Sequence, residues 1–227
     1  MTEARERSSP AIRRILRHLR LAAVAAVVAA IIWVARDSES TVENASTATA
    51  YVALIFLAAS LAIGPLNVIR RKSNPVSTHL RRDIGIWAGI MGIVHTFLGL
   101  EVHMGGRLRR YFLPSTELGS GASAAGFISA NYAGLIAAIG LLVLLLISND
   151  IALRKLGTSR WKSIQRYNYL IVALVVAHGA LYQLLERRAF ALVIAFAGVI
   201  LATALLQLRG RSTVKDDPRR PKHPGVQ

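Results

Sequence analysis

Apolar stretches of about twenty residues, bounded by charged residues, recur along the chain. A helix needs roughly 20 apolar residues to cross a hydrocarbon core about 30 Å thick. Six windows come close to this length: 21–36, 49–69, 84–104, 130–148, 167–186 and 189–208. The pattern predicts an all-α, polytopic membrane protein. Its six-transmembrane-helix bundle would occupy 21–208, after a basic tail at 1–20 and before a disordered tail at 209–227.

Lysine and arginine are distributed unevenly between the two ends of these predicted helices. Of the 28 basic residues, 22 fall on one side, in the tail through Arg20, the 70–82 loop, the 154–166 loop and the tail after Leu208. Cytoplasmic loops carry such an excess, so we expect both termini to be cytoplasmic and the chain to lie in the lipid of a bacterial inner (plasma) membrane. Nucleic-acid binding is disfavoured, because the basic residues occupy separate short loops without interleaved aromatic side chains.

Two windows carry features that bear on where their helices begin and end. The first follows a basic region and could be a signal peptide, but no small-x-small cleavage site follows it directly. A retained helix is therefore the favoured interpretation. In the second window Pro65 predicts a kink or an early end, because proline lacks a backbone donor and clashes with the preceding turn.

Cysteine is absent from the sequence. This excludes disulfides, thiolate ligation of haem, Cys-bound iron–sulfur clusters and Cys zinc sites. Histidine is the strong nitrogen ligand that remains. His18, His79 and His223 fall in predicted tails or loops, so no further role is assigned to them.

His95 and His178 differ from the other histidines because each lies near the middle of an apolar window. His95 comes 13 residues after Arg82 and His178 comes 12 after Arg166, which places both roughly 18 to 20 Å from the same membrane face. An ionisable side chain inside a span is costly and marks a functional candidate. Two imidazoles at one depth could bind one haem iron, although isolated histidines on helices are usually satisfied by packing or hydrogen bonds.

Small residues accompany His95 on one side of the third window: Gly85, Ala88, Gly92 and Gly99. Such a stripe lets a neighbouring helix approach closely, and the same gap would admit a flat macrocycle. Gly92 and Gly99 are therefore candidate cofactor-binding residues. The stripe alone does not decide between the two readings.

Polar residues cluster where the third window ends. His103 and Glu101 are read as an interfacial polar pair. Arg107 and Arg109, with Arg110, could bind haem propionates, or could be ordinary interface anchors.

A second class of function uses the two histidines as proton or metal relay groups in a transporter or channel. It is disfavoured because no buried acid is expected beside them: Glu101 is peripheral and the other acids fall in loops. The 19 residues after Leu208 are too few for a flavin or nicotinamide domain. No motif for binding a quinone or flavin donor is identifiable.

Three segments between residues 61 and 182 resemble the ferric-reductase-like transmembrane domain family, and within it the haem-binding membrane subunits of periplasmic methionine sulfoxide reductase systems. They are GPLNVIRRK, the pattern RR-x-x-G-x-W-x(7)-H ending at His95, and the pattern LG-x(3)-W leading to His178. The resemblance implies a cytochrome b: one bundle holding haem b between the third and fifth spans, with His95 and His178 as iron ligands. Such oxidoreductase subunits transfer electrons from a cytoplasmic flavin or quinol donor to an external acceptor, here a separate periplasmic reductase.

The chain departs from this family at Gln165, where a further histidine is usual. Glutamine is a poor haem ligand, so a second, inner haem is not expected. A single haem, central or toward the outer half, is the prediction. The departure also leaves open a haem-free scaffold subunit as an alternative.

Overall fold

The computed structural model describes residues 10–36, 38–71, 78–107, 122–186 and 188–215. These residues are mostly helical, and no strand occurs among them. The helices are α1 (Pro10–Arg36), α2 (Thr41–Ile69), α3 (Thr78–Met104), α4 (Ala122–Leu146), α5 (Asp150–Gln165), α6 (Asn168–Leu185) and α7 (Phe190–Lys215). The all-α prediction is confirmed.

Six helical stretches are long and apolar enough to cross a membrane, which confirms the predicted number of spans. They are Ala11–Arg36, Thr41–Ile69, His79–Val102, Ala124–Leu146, Asp150–Leu185 and Phe190–Val214. The outermost helices run further than predicted, because α1 begins at Pro10 and α7 continues to Lys215. Parts of both predicted tails are thus helical extensions of the first and last spans.

Helix α2 lies at the centre of the bundle, against α1, α3 and α7, while α4 packs against α3 and α6. The core is formed largely by α2 side chains, among them Val52, Phe56 and Leu57. They meet small residues of the neighbouring helices, such as Ala88 of α3 and Ala137 of α4. Large apolar side chains point outward from the bundle, which is the arrangement a lipid surrounding allows.

Of the two outcomes expected at Pro65, a kink or an early end, the early end does not occur. The helix continues to Ile69, and the N–H of Arg70 still donates to the carbonyl of Leu66 at 3.0 Å. A Cβ placed on Gly210 of α7 would lie 2.8 Å from the Cβ of Pro65. The ring of Pro65 therefore packs against Gly210, a position without a side chain. This contact with α7 stabilises α2 where the proline interrupts its hydrogen bonds.

The connection between the fourth and fifth predicted spans, expected to be a loop, is the polar helix α5. The side chain of Asn149 caps it by accepting from the N–H of Ala152 at 2.7 Å. Gly157 interrupts the helix with a φ of 72°, a conformation that favours glycine. After this break the indole N–H of Trp161 donates to the carbonyl of Ile147 at 3.0 Å. Gly157 and Trp161 both belong to the sequence motif. The break at Gly157 and the hydrogen bond of Trp161 together hold the second half of α5 against the residues that follow α4.

The expectation that the acids other than Glu101 lie in loops is also wrong, because Asp83 of α3 is only 1% exposed. The guanidinium of Arg17 in α1 donates to its Oδ2 at 2.6 Å. Arg14 and His18 lie 3.7 Å from its Oδ1. His18, to which no role was assigned, also accepts a hydrogen bond of 3.2 Å from the indole N–H of Trp87. These contacts fix the extended start of α1 against α3.

Replacing Arg17 with glutamine is expected to lower the free energy of unfolding by about 3 kcal/mol, because it leaves a buried carboxylate without its closest partner. Asp83→Asn should cost less, about 1–2 kcal/mol, since the arginines left behind are partly exposed. Unfolding of the purified protein in detergent, followed by circular dichroism, measures both values. Equal losses in the two variants would show that the buried charge is not the source of the effect.

Candidate functional site

The structure brings His95 of α3 and His178 of α6 together. Their ring centroids are 6.1 Å apart and the ring planes are inclined at 70°. The two helices are held at this separation by α2 and α4, which pack beside them. The matched depth expected from the sequence therefore corresponds to close proximity in the fold.

The imidazole of His95 is oriented by the backbone of α2. Its Nδ1 lies 2.9 Å from the carbonyl oxygen of Ser46, with the hydroxyl of the same residue at 3.3 Å. A carbonyl only accepts, so the Nδ1 carries the proton and donates it. The Nε2 of this neutral tautomer is then the nitrogen with the lone pair.

His178 is oriented in the same way by α4. Its Nδ1 donates to the carbonyl oxygen of Ala130 at 2.8 Å. The ring of Tyr182 flanks it at 4.9 Å between centroids. Gly134 lies beneath the imidazole, because a Cβ there would be 2.6 Å from the Nδ1. A ring-nitrogen bond to a backbone carbonyl is the usual support of metal-ligating histidines.

The separation of the rings suits one metal ion between them. An ion bonded to both Nε2 atoms at about 2 Å would leave the centroids of the two five-membered rings roughly 6 Å apart. The observed distance is 6.1 Å. Both imidazoles are also in the tautomer that such an ion requires, since neutral imidazole is the ligating form.

A cavity of about 160 Å³ surrounds the two histidines. One water molecule needs about 10–15 Å³ of such volume, so this space is roughly ten times larger. Voids of that size are uncommon in close-packed interiors. Most of its wall is apolar or small, contributed by Leu54, Leu57, Ala88, Gly92, Ala137, Ala138, Leu141 and Val175 among others.

Polar side chains concentrate at one end of the cavity, where α2 begins and α6 ends. Asn131 accepts from the hydroxyl of Tyr182 at 2.6 Å, and Gln183 donates to the hydroxyl of Tyr51 at 2.8 Å. Arg188, just before α7, also lines the cavity there. We call this end of the bundle the Arg188 end, and the opposite one the Asp83 end.

Glu186 lies just beyond the last residue of α6, at the Arg188 end, and forms an ion pair with Arg188. Burial raises the pKa of its carboxyl group to about 7, although nearby Arg36 lowers the pKa and Glu43 raises it further. Arg36 and Glu43 are themselves paired at 2.6 Å. The Arg188 end therefore carries a partly desolvated set of alternating charges.

The other sequence-predicted residues fall into three groups. Gly92 lines the cavity, and a Cβ on Gly99 would lie 4.0 Å from the Cε1 of His95. Arg107 is exposed and is not among the residues that line the cavity. Arg109, Arg110 and the side chain of His103 lie outside the described residues, so the predictions made for them stay predictions. Gln165 ends α5, likewise away from the cavity lining.

Several residues of the site were not singled out from the sequence. Ser46 and Ala130 bind the histidines through backbone carbonyls. Because every residue has a backbone carbonyl, the residue type gives no indication of this role. Gly134 makes room for the His178 ring, but a glycine in an apolar window indicates only close helix packing from sequence alone. Arg188 is one of the six basic residues outside the four basic segments, and its position after the span containing His178 was the signal available.

Among the residues that the structure describes, no group of three or more His, Asp or Glu side chains is placed to hold a metal ion. A bare zinc site takes three or four protein ligands. A haem iron needs only axial ligands from the protein, because the macrocycle supplies the others. Two histidines that line a cavity are therefore compatible with a haem iron and too few for a bare zinc site.

Comparison with known proteins points to a haem-binding relative. The chain is similar to a protein of Salmonella arizonae named protein-methionine-sulfoxide reductase heme-binding subunit MsrQ, with 32% identity over 132 residues. No protein-family model matches the chain, so membership of the ferric-reductase-like family stays a prediction, and no solved structure matches it. The aligned region covers 57% of this chain and 59% of that relative, so the chain spans about three-fifths of the length of the protein it resembles.

Proposed function

We propose that this chain is a haem b-binding membrane subunit that transfers electrons across the bilayer. The observation that carries the proposal is the pair of imidazoles, His95 and His178, 6.1 Å apart across a cavity. Both Nδ1 atoms are engaged by backbone carbonyls. The similarity to a protein named as a heme-binding subunit supports the same assignment.

The residues present fit haem in three respects. The imidazoles of His95 and His178 would hold the haem iron through ring nitrogens. The small side chains of Ala88, Gly92 and Ala137 leave room between the helices for a flat ring. Without cysteine in the chain, the group cannot be attached by thioether bonds, which excludes a c-type attachment and is compatible with haem b.

The protein's own part is to orient the ligands and exclude water. The carbonyls of Ser46 and Ala130 hold both rings in place through their Nδ1 atoms. The apolar walls provide a low-dielectric setting, and burial of this kind tunes the reduction potential. A haem held by two histidines supplies reversible one-electron chemistry, and it leaves no coordination position open for a substrate.

The donor and acceptor follow from the expected orientation. With basic loops in the cytoplasm, the Asp83 end faces the cytoplasm and the Arg188 end faces the periplasm. We propose a cytoplasmic flavin or a quinol as donor and a separate periplasmic reductase as acceptor. The relative's name, which describes a heme-binding subunit of a methionine sulfoxide reductase, supports a separate reductase. One haem is proposed, because Gln165 stands where a second inner ligand would be needed.

The full-length protein purified from haem-replete cells is expected to be red. Its dithionite-reduced minus oxidised spectrum should show a b-type α band, and acidic acetone should extract all of the pigment because the attachment is not covalent. A correctly folded but colourless protein would overturn the proposal and favour a haem-free scaffold or a relay function.

A further inference from the structure

The cavity around the two histidines reaches the Arg188 end of the bundle. Arg188 lines it, together with Thr47 of α2. The guanidinium donates to the hydroxyl of Thr47 at 2.8 Å and contacts the carboxylate of Glu186. The side chain is only 16% exposed. Thr47 and Glu186 thus orient the guanidinium of Arg188 at the polar end of a largely apolar cavity.

A buried guanidinium is suited to bind a carboxylate, because its planar donors match two oxygens and the low local dielectric strengthens the pair. A haem seated between His95 and His178 carries two propionate carboxylates on one edge. These charged groups cannot point into the apolar walls without a large desolvation cost. They must point to the polar end of the cavity, where Arg188 lies.

We propose that Arg188 is the cation that binds a haem propionate in this protein, positioned by Thr47 and balanced by Glu186 when no propionate is present. The inference rests on the proposed function, and it replaces Arg107 as the residue expected in this role. Arg107 is exposed to its surroundings and does not line the cavity. An exposed arginine remains solvated and gains less from such a pair.

The environment of Glu186 supports an exchange of partners. Burial raises the pKa of its carboxyl group to about 7, so Glu186 can take up a proton near neutral pH once Arg188 has turned to another carboxylate. A propionate can then take its place beside Arg188 without leaving an unpaired buried carboxylate. Glu43 adds to the rise in pKa, and Arg36 opposes it.

The test compares two ligands in two proteins. Full-length protein produced without haem is titrated in detergent with haem b and with its dimethyl ester, which lacks the carboxylate charges. For the wild type, the affinity for haem b should exceed that for the ester by about tenfold or more. For Arg188→Gln the preference for haem b over the ester should largely disappear, because the substitution lowers the affinity for haem b and leaves that for the ester unchanged. The reduced spectrum reports binding in both cases.

Two further variants complete the design. Arg107→Gln removes a neighbouring exposed charge and should keep the full preference of the wild type. Arg188→Lys keeps a cation without the planar fork, so an intermediate preference is expected. This variant also tests the inference if Arg188→Gln fails to fold. A full wild-type preference for haem b in Arg188→Lys would then contradict a specific role of the guanidinium.

Each outcome has one meaning. Retention of the wild-type preference by Arg188→Gln overturns the inference, and so does a wild type that binds both ligands equally well with a b-type spectrum. In either case the proposed function stands. A folded wild type that binds neither ligand defeats the proposed function itself.

Discussion

Replacing either His95 or His178 with alanine is expected to abolish the b-type absorption band of the purified protein. Each variant removes one of the two imidazoles whose ring centroids lie 6.1 Å apart. Among the residues that the structure describes, no third potential metal ligand joins the pair. Difference spectra and total haem content, normalised to protein, measure the loss.

Two controls separate loss of a ligand from loss of the fold. His79→Ala should retain the band, because His79 is exposed at the start of α3, and His103→Ala is predicted to do the same. In addition, His178→Gly should regain a six-coordinate haem spectrum when imidazole is added, since the small ligand can occupy the emptied position beside Ala130. A persistent wild-type spectrum in His95→Ala or His178→Ala would contradict the assignment of these ligands.

Gly134→Ala is expected to lower the affinity for haem by about 10- to 100-fold, the range found when the support of a metal ligand is disturbed. The added Cβ would lie 2.6 Å from the Nδ1 of His178. It would displace the imidazole and break its bond to the carbonyl of Ala130. Titration of the haem-free protein with haem b measures the change.

Gly140→Ala is the matched control. It adds the same methyl group to the same helix, α4, and meets the side chain of Ile171 in α6 at 2.8 Å. It therefore imposes a comparable strain on the contact between α4 and α6 without touching a ligand. We expect near-normal haem affinity in this variant. An equal loss of affinity in both variants would mean that helix packing, rather than the position of His178, controls binding.

The six spans and the histidine pair could be predicted because both depend on short-range rules. Apolar length identifies a span, and a fixed rise per residue converts distance from a charged loop into depth. These rules placed His95 and His178 at one height, and the fold brings the two rings into proximity. They could not supply the partners of the Nδ1 atoms, because any residue can offer a backbone carbonyl.

Two of the errors concern contacts between residues far apart in sequence. Asp83 lies next to Arg82 and reads as part of a charged loop, yet α1 extends far enough to bring Arg17 against it. Pro65 reads as a helix end when considered alone, but Gly210 of α7 leaves space for its ring. In both cases a distant helix provides the compensation, and local propensity contains no information about it.

The histidine pair lies off-centre in the bundle. His95 is 17 residues from the start of α3 and 9 from its end, which places it about two-thirds of the way from the Asp83 end to the Arg188 end. In the proposed orientation and direction of transfer, with an electrically negative cytoplasm, an outward-moving electron would be driven by the membrane potential, which supplies about 2.3 kcal/mol per 100 mV for a full crossing. About 1.5 kcal/mol of this would be gained on reaching the haem. Voltage would therefore assist reduction of the haem more than its reoxidation at the outer face.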